Sequence, residues 1–277
     1  EPFLHGAEPF LHGAEPFLHG AEPFLGGRNH FFGGRNHFSS GSHHFYPAGT
    51  IFSVPGTISV LSLKRLNYNK GAQIVSYSDF TIEELETQFD LNIEEDIELF
   101  TNIEPVTPSE ILRAVLAENL PLALDIDTEK ARSELIIAPI LVEIRKYFNR
   151  EIGLFSGTEF NVDRSKGLNG RCDFILSRSP RQLAVTAPVI TMVKARDDNI
   201  KSGLVISMAE MVGARIFNEQ KNNNINSIYG AVTTGSLWKF MRLRENTISL
   251  EPEVHFVGNL ESLLGILVWI IKTVNDN

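Results

Sequence analysis

The chain has a single cysteine, no long hydrophobic run and no excess of basic residues. Its 277 residues include 25 Lys and Arg against 34 Asp and Glu. The resulting net charge of −9 excludes a generally basic nucleic-acid-binding protein, although not a local basic patch. With only Cys172, no internal disulfide can form, which favours a reducing, cytoplasmic compartment. The longest apolar run, 263–271, is about half of the ~20 residues that span a bilayer, so we expect no membrane partner.

The first fifty residues lack the periodic apolar pattern that builds a core. Glu-Pro-Phe-Leu-His-Gly-Ala begins at residues 1, 8 and 15, and the Pro and Gly of each repeat exclude a continuous helix. We therefore predict a low-complexity, disordered tail over 1–56. It holds seven of the eight histidines, which favours either metal capture or a flexible tail with incidental weak affinity. The first methionine is Met192, so we expect a fragment or an artificial or misassigned N-terminal reading frame.

An acidic segment follows the tail. No basic residue occurs between Lys70 and Arg113, whereas acidic residues accumulate there. Capping boxes that begin at Thr81 and Thr107 predict helices over 82–90 and 108–119, and the alternating stretch 57–63 predicts an edge strand. We assign 57–127 to an acidic helical extension. Its charge is typical of a solvated helical face, of a surface for a basic protein partner, or of an imitation of nucleic acid.

Residues 128–277 have the order of elements expected of an α/β core with a mixed central sheet flanked by helices. Helices are predicted over 128–149, 201–220 and 260–272, and strands over 152–162, 171–176, 189–193, 228–232 and 237–243. In the first helix, Ile137, Leu141 and Ile144 mark a buried face. Glu134 shares that face by its spacing, so its carboxylate needs a partner. Pro139 should bend this helix and free the carbonyl of residue 135.

Four segments of this core resemble the PD-(D/E)XK, or restriction-endonuclease-like, nuclease superfamily, and more closely a group of uncharacterised bacterial proteins built on that core. The matching segments are 127–134 (DTEKARSE), 168–173 (LNGRCD), 198–203 (DNIKSG) and 209–211 (AEM). The resemblance spans roughly 74–272. It implies a restriction-endonuclease-like core and hydrolysis of DNA phosphodiesters with Mg²⁺ or Mn²⁺. It also implies that Asp173 on the first strand and Glu134 on the helix bind the metal, and that Lys194 and Arg196 occupy the other two catalytic positions.

The catalytic pattern departs from that of the family at three positions. Lys194 stands where the family has a metal-binding acid, Arg196 where it has Lys, and Ile206 where a Gln is expected. A register shifted by two residues makes Lys194 the lysine but places Met192 at the position of the acid. In the first register, the attraction between the metal ion and a carboxylate is replaced by a repulsion of comparable size between the metal ion and Lys194. Each pair of unit charges ~4 Å apart contributes ~4 kcal/mol to such an interaction. We therefore expect an impaired site.

Two functional hypotheses remain from the sequence. In the first, a metal-dependent nuclease with an impaired site uses Asp173 and Glu134 as its acids. In the second, the same fold is a non-catalytic nucleic-acid-binding or assembly module without a cofactor, in which these acids pair with Lys194 and Arg196. Both predict that the four side chains converge at one edge of the sheet. Glu134 has the further alternative of a structural salt bridge, and Cys172 is either catalytic or a buried strand thiol.

A basic and aromatic cluster lies in the last predicted strand. Trp238, Phe240 and Arg242 alternate along it and so share one face, whereas Lys239 and Met241 share the other. Arg244 extends the series. The cluster is typical of buried aromatics with an exposed basic rim, and alternatively of a contact with the phosphate backbone of DNA.

Overall fold

A mixed sheet of eight strands organises the computed structural model, which describes residues 75–196, 200–223 and 225–274. The strands are β1 (Asn92–Glu94), β2 (Gly153–Glu159), β3 (Arg171–Ser177), β4 (Val189–Ala195), β5 (Ile228–Thr233), β6 (Leu237–Arg244), β7 (Thr247–Leu250) and β8 (His255–Phe256). Their order is β1-β7-β6-β5-β4-β3-β2, and β8 pairs with β6. Only β1 with β7 and β4 with β5 pair in parallel among the described strands. The predicted mixed α/β sheet is confirmed, whereas the predicted tail 1–56 and strand 57–63 lie outside the described residues.

Helices cover both faces of this sheet. They are α1 (Ile82–Phe89), α2 (Glu110–Ile126), α3 (Glu129–Arg132), α4 (Ala138–Tyr147), α5 (Ile200–Gln220) and α6 (Leu260–Thr273). Neighbouring strand residues alternate between two cores, since Val193 and Phe240 pack with α2, α4 and α6, whereas Met192 and Met241 pack with α1 and α5. None of the described helices is long and apolar enough to cross a membrane.

The first predicted capping box is confirmed at the start of α1. The hydroxyl of Thr81 accepts a hydrogen bond from the backbone N–H of Glu84, and the Glu84 carboxylate accepts one from the backbone N–H of Thr81. The helix ends at Phe89 because Asp90 adopts a left-handed conformation, with φ 53°. Local capping chemistry therefore fixes both ends of α1.

The second predicted cap is displaced by two residues. Ser109, and not Thr107, caps α2 by accepting a hydrogen bond from the N–H of Leu112. Glu143 of α4 holds this cap, since its carboxylate accepts hydrogen bonds from both the backbone N–H and the hydroxyl of Ser109, at 2.9 and 3.0 Å. The helix then continues through Pro121, beyond the predicted end at 119. A tertiary contact thus selects one of two similar local caps.

A π-helical turn, Ser133–Ile137, joins α3 to α4 within the long helix predicted over 128–149. Pro139 has no N–H to donate, so the carbonyl of Leu135 was expected to be free, and it accepts a hydrogen bond from the side-chain amide of Asn119 at 3.1 Å, a partner that was not predicted. The wider π turn changes the angular spacing of side chains along the helix. The predicted burial of Glu134 is therefore wrong, since 61% of its side chain is exposed.

The acidic segment contributes to the same sheet as the core. Strand β1 was not predicted, and it pairs with β7 through Ile93 opposite Ile248. Further along, Phe100 packs edge-to-face against Phe240 and Trp269. Contacts therefore cross the domain boundary predicted at residue 127, and residues on both of its sides share one core.

Candidate functional site

Asp173 and Lys194 meet at the point where strands β3 and β4 separate. The last paired residues before this point are Phe174 and Val193. One carboxylate oxygen of Asp173, Oδ2, accepts a hydrogen bond from the backbone N–H of Ala195 at 2.8 Å and lies 2.9 Å from the Nζ of Lys194. Only 20% of the Asp173 side chain and 11% of the Lys194 side chain are exposed. The predicted approach of these two residues is confirmed.

Glu210 of α5 interacts electrostatically with both members of this pair and has no solvent exposure. Neither of its carboxylate oxygens has a partner within normal hydrogen-bond geometry among the described residues, although the thiol of Cys172, a weak donor, is close enough to lower the pKa of Glu210. Burial raises the pKa of Glu210 to about 8, although the positive charge of Lys194 acts in the opposite direction. At neutral pH, Glu210 is therefore predominantly protonated, which avoids most of the cost of a buried, unbonded negative charge.

Nearby carboxyl groups keep Lys194 charged. Burial by itself lowers the pKa of Lys194, but the nearby Glu210, Asp173 and Glu129 carboxyl groups, together with the hydrogen bond to Asp173, outweigh burial and raise it. The ammonium is therefore the positive charge at the centre of the site. At neutral pH it is held by the ion pair with Asp173 at 2.9 Å and by the longer-range attraction of Glu129, and Glu210 adds to them only when it is ionised.

Arg196, two residues further along the chain, pairs with a different acid. Its backbone N–H donates to the carbonyl of Thr233, and its Nη1 lies 3.5 Å from Oε2 of Glu129. Glu134 forms an ion pair with Lys130 one turn earlier and is largely exposed. Asp173 and Lys194 thus come together with Arg196 nearby, and the predicted convergence of Glu134 with them is wrong.

Sequence reasoning missed two acids of this site, and each had a detectable signal. Glu129 follows Thr128, whose side chain accepts a hydrogen bond from the N–H of Ala131 as an N-cap, so Glu129 begins the first turn of α3. Glu210 lies in a stretch of α5 in which every residue from 207 to 214 is buried. A carboxylate within such a stretch requires a special environment.

The residues of this site do not fit a divalent metal ion as they stand. Mg²⁺ and Mn²⁺ require several oxygen ligands. The Oδ2 of Asp173 is already engaged by an ammonium and a backbone N–H, and Glu210 favours its neutral form. Lys194 offers three donors and no acceptor. An internal ammonium therefore provides the positive charge that a metal would bring.

The thiol of Cys172, next to Asp173 in β3, is fully buried. Burial, followed by the charge of Glu210, raises its pKa. A neutral buried thiol is a poor nucleophile, since the thiolate is the reactive form. These facts favour the interpretation of Cys172 as a buried strand thiol over a catalytic one.

The basic and aromatic cluster of β6 divides between the interior and the surface. Trp238 and Phe240 are fully buried in the same core, as their alternation predicts. Arg242 and Arg244 line a cavity of about 230 Å³ with Tyr229 and other residues. Neither arginine forms an ion pair among the residues that the structure describes.

No protein-family model matches the chain, and no curated protein matches its sequence.

Proposed function

We propose that this chain is a member of the PD-(D/E)XK nuclease superfamily that has lost its catalytic metal site. In this proposal, residues 57–127 are an acidic extension and 128–277 are a restriction-endonuclease-like core. The ancestral activity is Mg²⁺-dependent hydrolysis of DNA phosphodiesters. The observation that carries the proposal is the ion pair between Lys194 and Asp173, with 2.9 Å between nitrogen and oxygen, near the buried Glu210.

The ammonium of Lys194 replaces the charge of a metal ion but not its chemistry. A divalent metal lowers the pKa of a bound water and so generates a nucleophile near neutral pH. An ammonium offers no coordination site for water or for a phosphoryl oxygen, and it adds one positive charge instead of two. We therefore infer that the site stabilises the fold and does not cleave DNA.

A metal-binding variant tests this proposal. Lys194→Glu removes the ammonium and adds a carboxylate beside Asp173, and Arg196→Lys restores the compact cation of the family pattern. We expect Mn²⁺ to raise the melting temperature of the double variant, but to have a smaller effect on the wild type. Adding Asp173→Asn to the double variant should abolish the additional shift, since this matched control keeps the shape of the side chain and removes its charge.

Plasmid nicking with Mg²⁺ or Mn²⁺ gives the second readout. The unmodified chain should not cleave DNA, whereas the double variant should gain cleavage, provided that Ile206 in place of the family's Gln is tolerated. Metal-dependent cleavage by the wild type that disappears in Asp173→Asn would overturn the proposal. A double variant that shows neither metal-dependent stabilisation nor cleavage would also count against it.

A second candidate function is a non-catalytic nucleic-acid-binding module on the same fold. The observation that favours it is the pair Arg242 and Arg244, which lines the cavity beside Tyr229 without a carboxylate partner in the described part of the chain. Guanidinium groups without a carboxylate partner are able to donate hydrogen bonds to phosphate oxygens. DNA binding measured by fluorescence anisotropy should weaken in an Arg242→Ala, Arg244→Ala variant. It should not weaken in Arg113→Ala, which removes a surface arginine from an ion pair with Glu261.

A further inference from the structure

The chain between β7 and β8 brings three ligand-bearing side chains together, away from the site described above. Both strands pair antiparallel with β6, with Leu250 opposite Met241 and His255 opposite Trp238, so the connection 251–254 bulges out while the chain continues in the same direction along β6. One ligand atom each from Glu251, Glu253 and His255 lies within 4.8 Å of the other two. Two carboxylates and an imidazole thus face a common point.

These three groups approach one another without bonding. No ion pair or hydrogen bond joins His255 to either glutamate. Glu251 is only 2% exposed, and its Oε2 accepts a hydrogen bond from the backbone N–H of Leu99, so its other oxygen remains available. The Nε2 of His255 is buried and has no hydrogen-bond partner in the described part of the chain. A buried nitrogen of this kind is costly unless something pairs with it.

The electrostatics of the cluster favour a cation. Glu251 and Glu253 place two carboxylate oxygens within 4.8 Å of each other and of a ring nitrogen of His255. Two ionised carboxylates at this separation repel each other, and a cation between them removes that repulsion. Two carboxylates and an imidazole in this arrangement resemble the ligand set of a metal site before the ion enters.

We propose that Glu251, Glu253 and His255 bind a divalent transition-metal ion of the Zn²⁺ class. One imidazole nitrogen and two carboxylate oxygens are ligands that Zn²⁺ accepts, and the fourth tetrahedral position stays open to water. With bonds of ~2.0–2.2 Å, tetrahedral ligands stand roughly 3.3–3.6 Å apart. Glu253 is exposed, so its side chain is free to make the necessary movement of about one ångström. Mg²⁺ and Ca²⁺ prefer oxygen ligands alone and suit this site less well.

Lys239 is the rival source of positive charge. Its Nζ donates a hydrogen bond to the carbonyl of Pro252 at 2.8 Å, in the same connection between β7 and β8. It forms no ion pair with either glutamate, however. Lys239 therefore reduces the repulsion between the carboxylates of Glu251 and Glu253 from one side only. A second cation is still needed between the three ligand atoms.

The test is thermal unfolding of the full chain, freed of metal with a chelator and then titrated with Zn²⁺. A metal that binds the folded state raises the melting temperature. We expect an increase of several degrees in the wild type and a loss of affinity on the order of tenfold or more in Glu253→Gln. The seven histidines of residues 1–44 are common to both proteins, so the difference between them reports only the cluster. Glu98→Gln is the matched control, because it removes a nearby negative charge that is not a ligand.

Co²⁺ provides an independent readout of the same site. Co²⁺ in a tetrahedral nitrogen and oxygen site absorbs visible light, and this absorption should be weaker in Glu253→Gln than in the wild type. His255→Ala should also lose it, but the ring packs against Phe100 and Phe240, so this variant has a separate reason to unfold. Equal Zn²⁺ shifts in the wild type and Glu253→Gln, or no shift in the wild type, would overturn the proposal.

Discussion

The hydroxyl of Tyr77 lies against Gly213 of α5, so close that a Cβ at residue 213 would stand 2.6 Å from the phenolic oxygen. That hydroxyl is buried and has no hydrogen-bond partner in the described part of the chain. Burial, together with Cys172 and Glu210, raises the pKa of Tyr77, so the phenol stays neutral. The contact fixes the short 3₁₀ turn Tyr77–Asp79 to the helix that carries Glu210.

Gly213→Ala should destabilise the protein by about 1–3 kcal/mol, because the added methyl overlaps the ring of Tyr77. Tyr77→Phe should be neutral or slightly stabilising, since it removes a buried polar atom without a partner. The double variant should recover part of the loss, because its closest overlap is gone. Urea denaturation measures all three free energies of unfolding. A cost above about 1.5 kcal/mol for Tyr77→Phe would show that the hydroxyl is bonded after all.

Glu210→Gln should change the pH dependence of stability. The pKa of Glu210 is raised from 4.5 to about 8 in the folded state, so the folded protein binds this proton more tightly than the unfolded chain. Its contribution to stability is fully present below about pH 4.5 and is lost as the pH rises through about 8. As the pH rises from 5 to 8, the free energy of unfolding of the wild type should therefore fall by up to a few kcal/mol relative to that of Glu210→Gln. One pKa unit corresponds to about 1.4 kcal/mol.

Urea denaturation of wild type and Glu210→Gln at several pH values measures that difference. Subtracting the free energy of unfolding of one protein from that of the other at each pH removes the contribution of His255. The lowered pKa of His255 makes stability rise with pH, opposite to the effect of Glu210. A difference that stays constant from pH 5 to 8 would mean that Glu210 titrates normally.

Cys172 should be unreactive in the native protein. Its side chain is fully buried and its pKa is raised, so a thiol reagent requires an unfolding event to reach it. In denaturant, one thiol per chain should react rapidly, because the sequence contains a single cysteine. Fast stoichiometric labelling of the folded protein would contradict the buried position of β3.

Removing one member of the Asp173–Lys194 pair should be strongly destabilising. Asp173→Asn leaves a largely buried ammonium, and Lys194→Met leaves a largely buried carboxylate, each at a cost of about 3 kcal/mol. The double variant should cost less than the sum of the two, because it leaves neither charge alone. Additive costs in this double-mutant cycle would mean that the two charges do not interact.

The elements that the sequence predicts best are those set by local chemistry. Thr81 and Glu84 cap α1 through residues three apart, and the lost N–H of Pro139 frees a carbonyl four residues earlier. Strand β1 has only three residues, too few for an alternating pattern, and its partner lies far along the chain. Such pairing depends on tertiary structure and leaves no local signal.

Within the site, prediction succeeded across adjacent strands and failed along a helix. The strand period of two places Asp173 and Lys194 correctly, because in a regular strand the position of a residue fixes the face of the sheet on which its side chain lies. The position of Glu134 was derived from a regular helix, and the π turn at Ser133–Ile137 changes that spacing. Glu129, before the turn, reaches Arg196 instead.

The parallel pairing of β1 with β7 also constrains how the protein is made. Asn92 lies opposite Thr247, so this contact closes a segment of about 155 residues (247 − 92). The entropy of closure grows only logarithmically with length and costs the folded state little, but contacts of such long range slow folding. During synthesis, the acidic segment leaves the ribosome well before its partner strand is translated. Until residue 250 emerges, the backbone of β1 has no partner strand. The negative charges next to β1 repel other copies of the same nascent segment and so oppose pairing between copies.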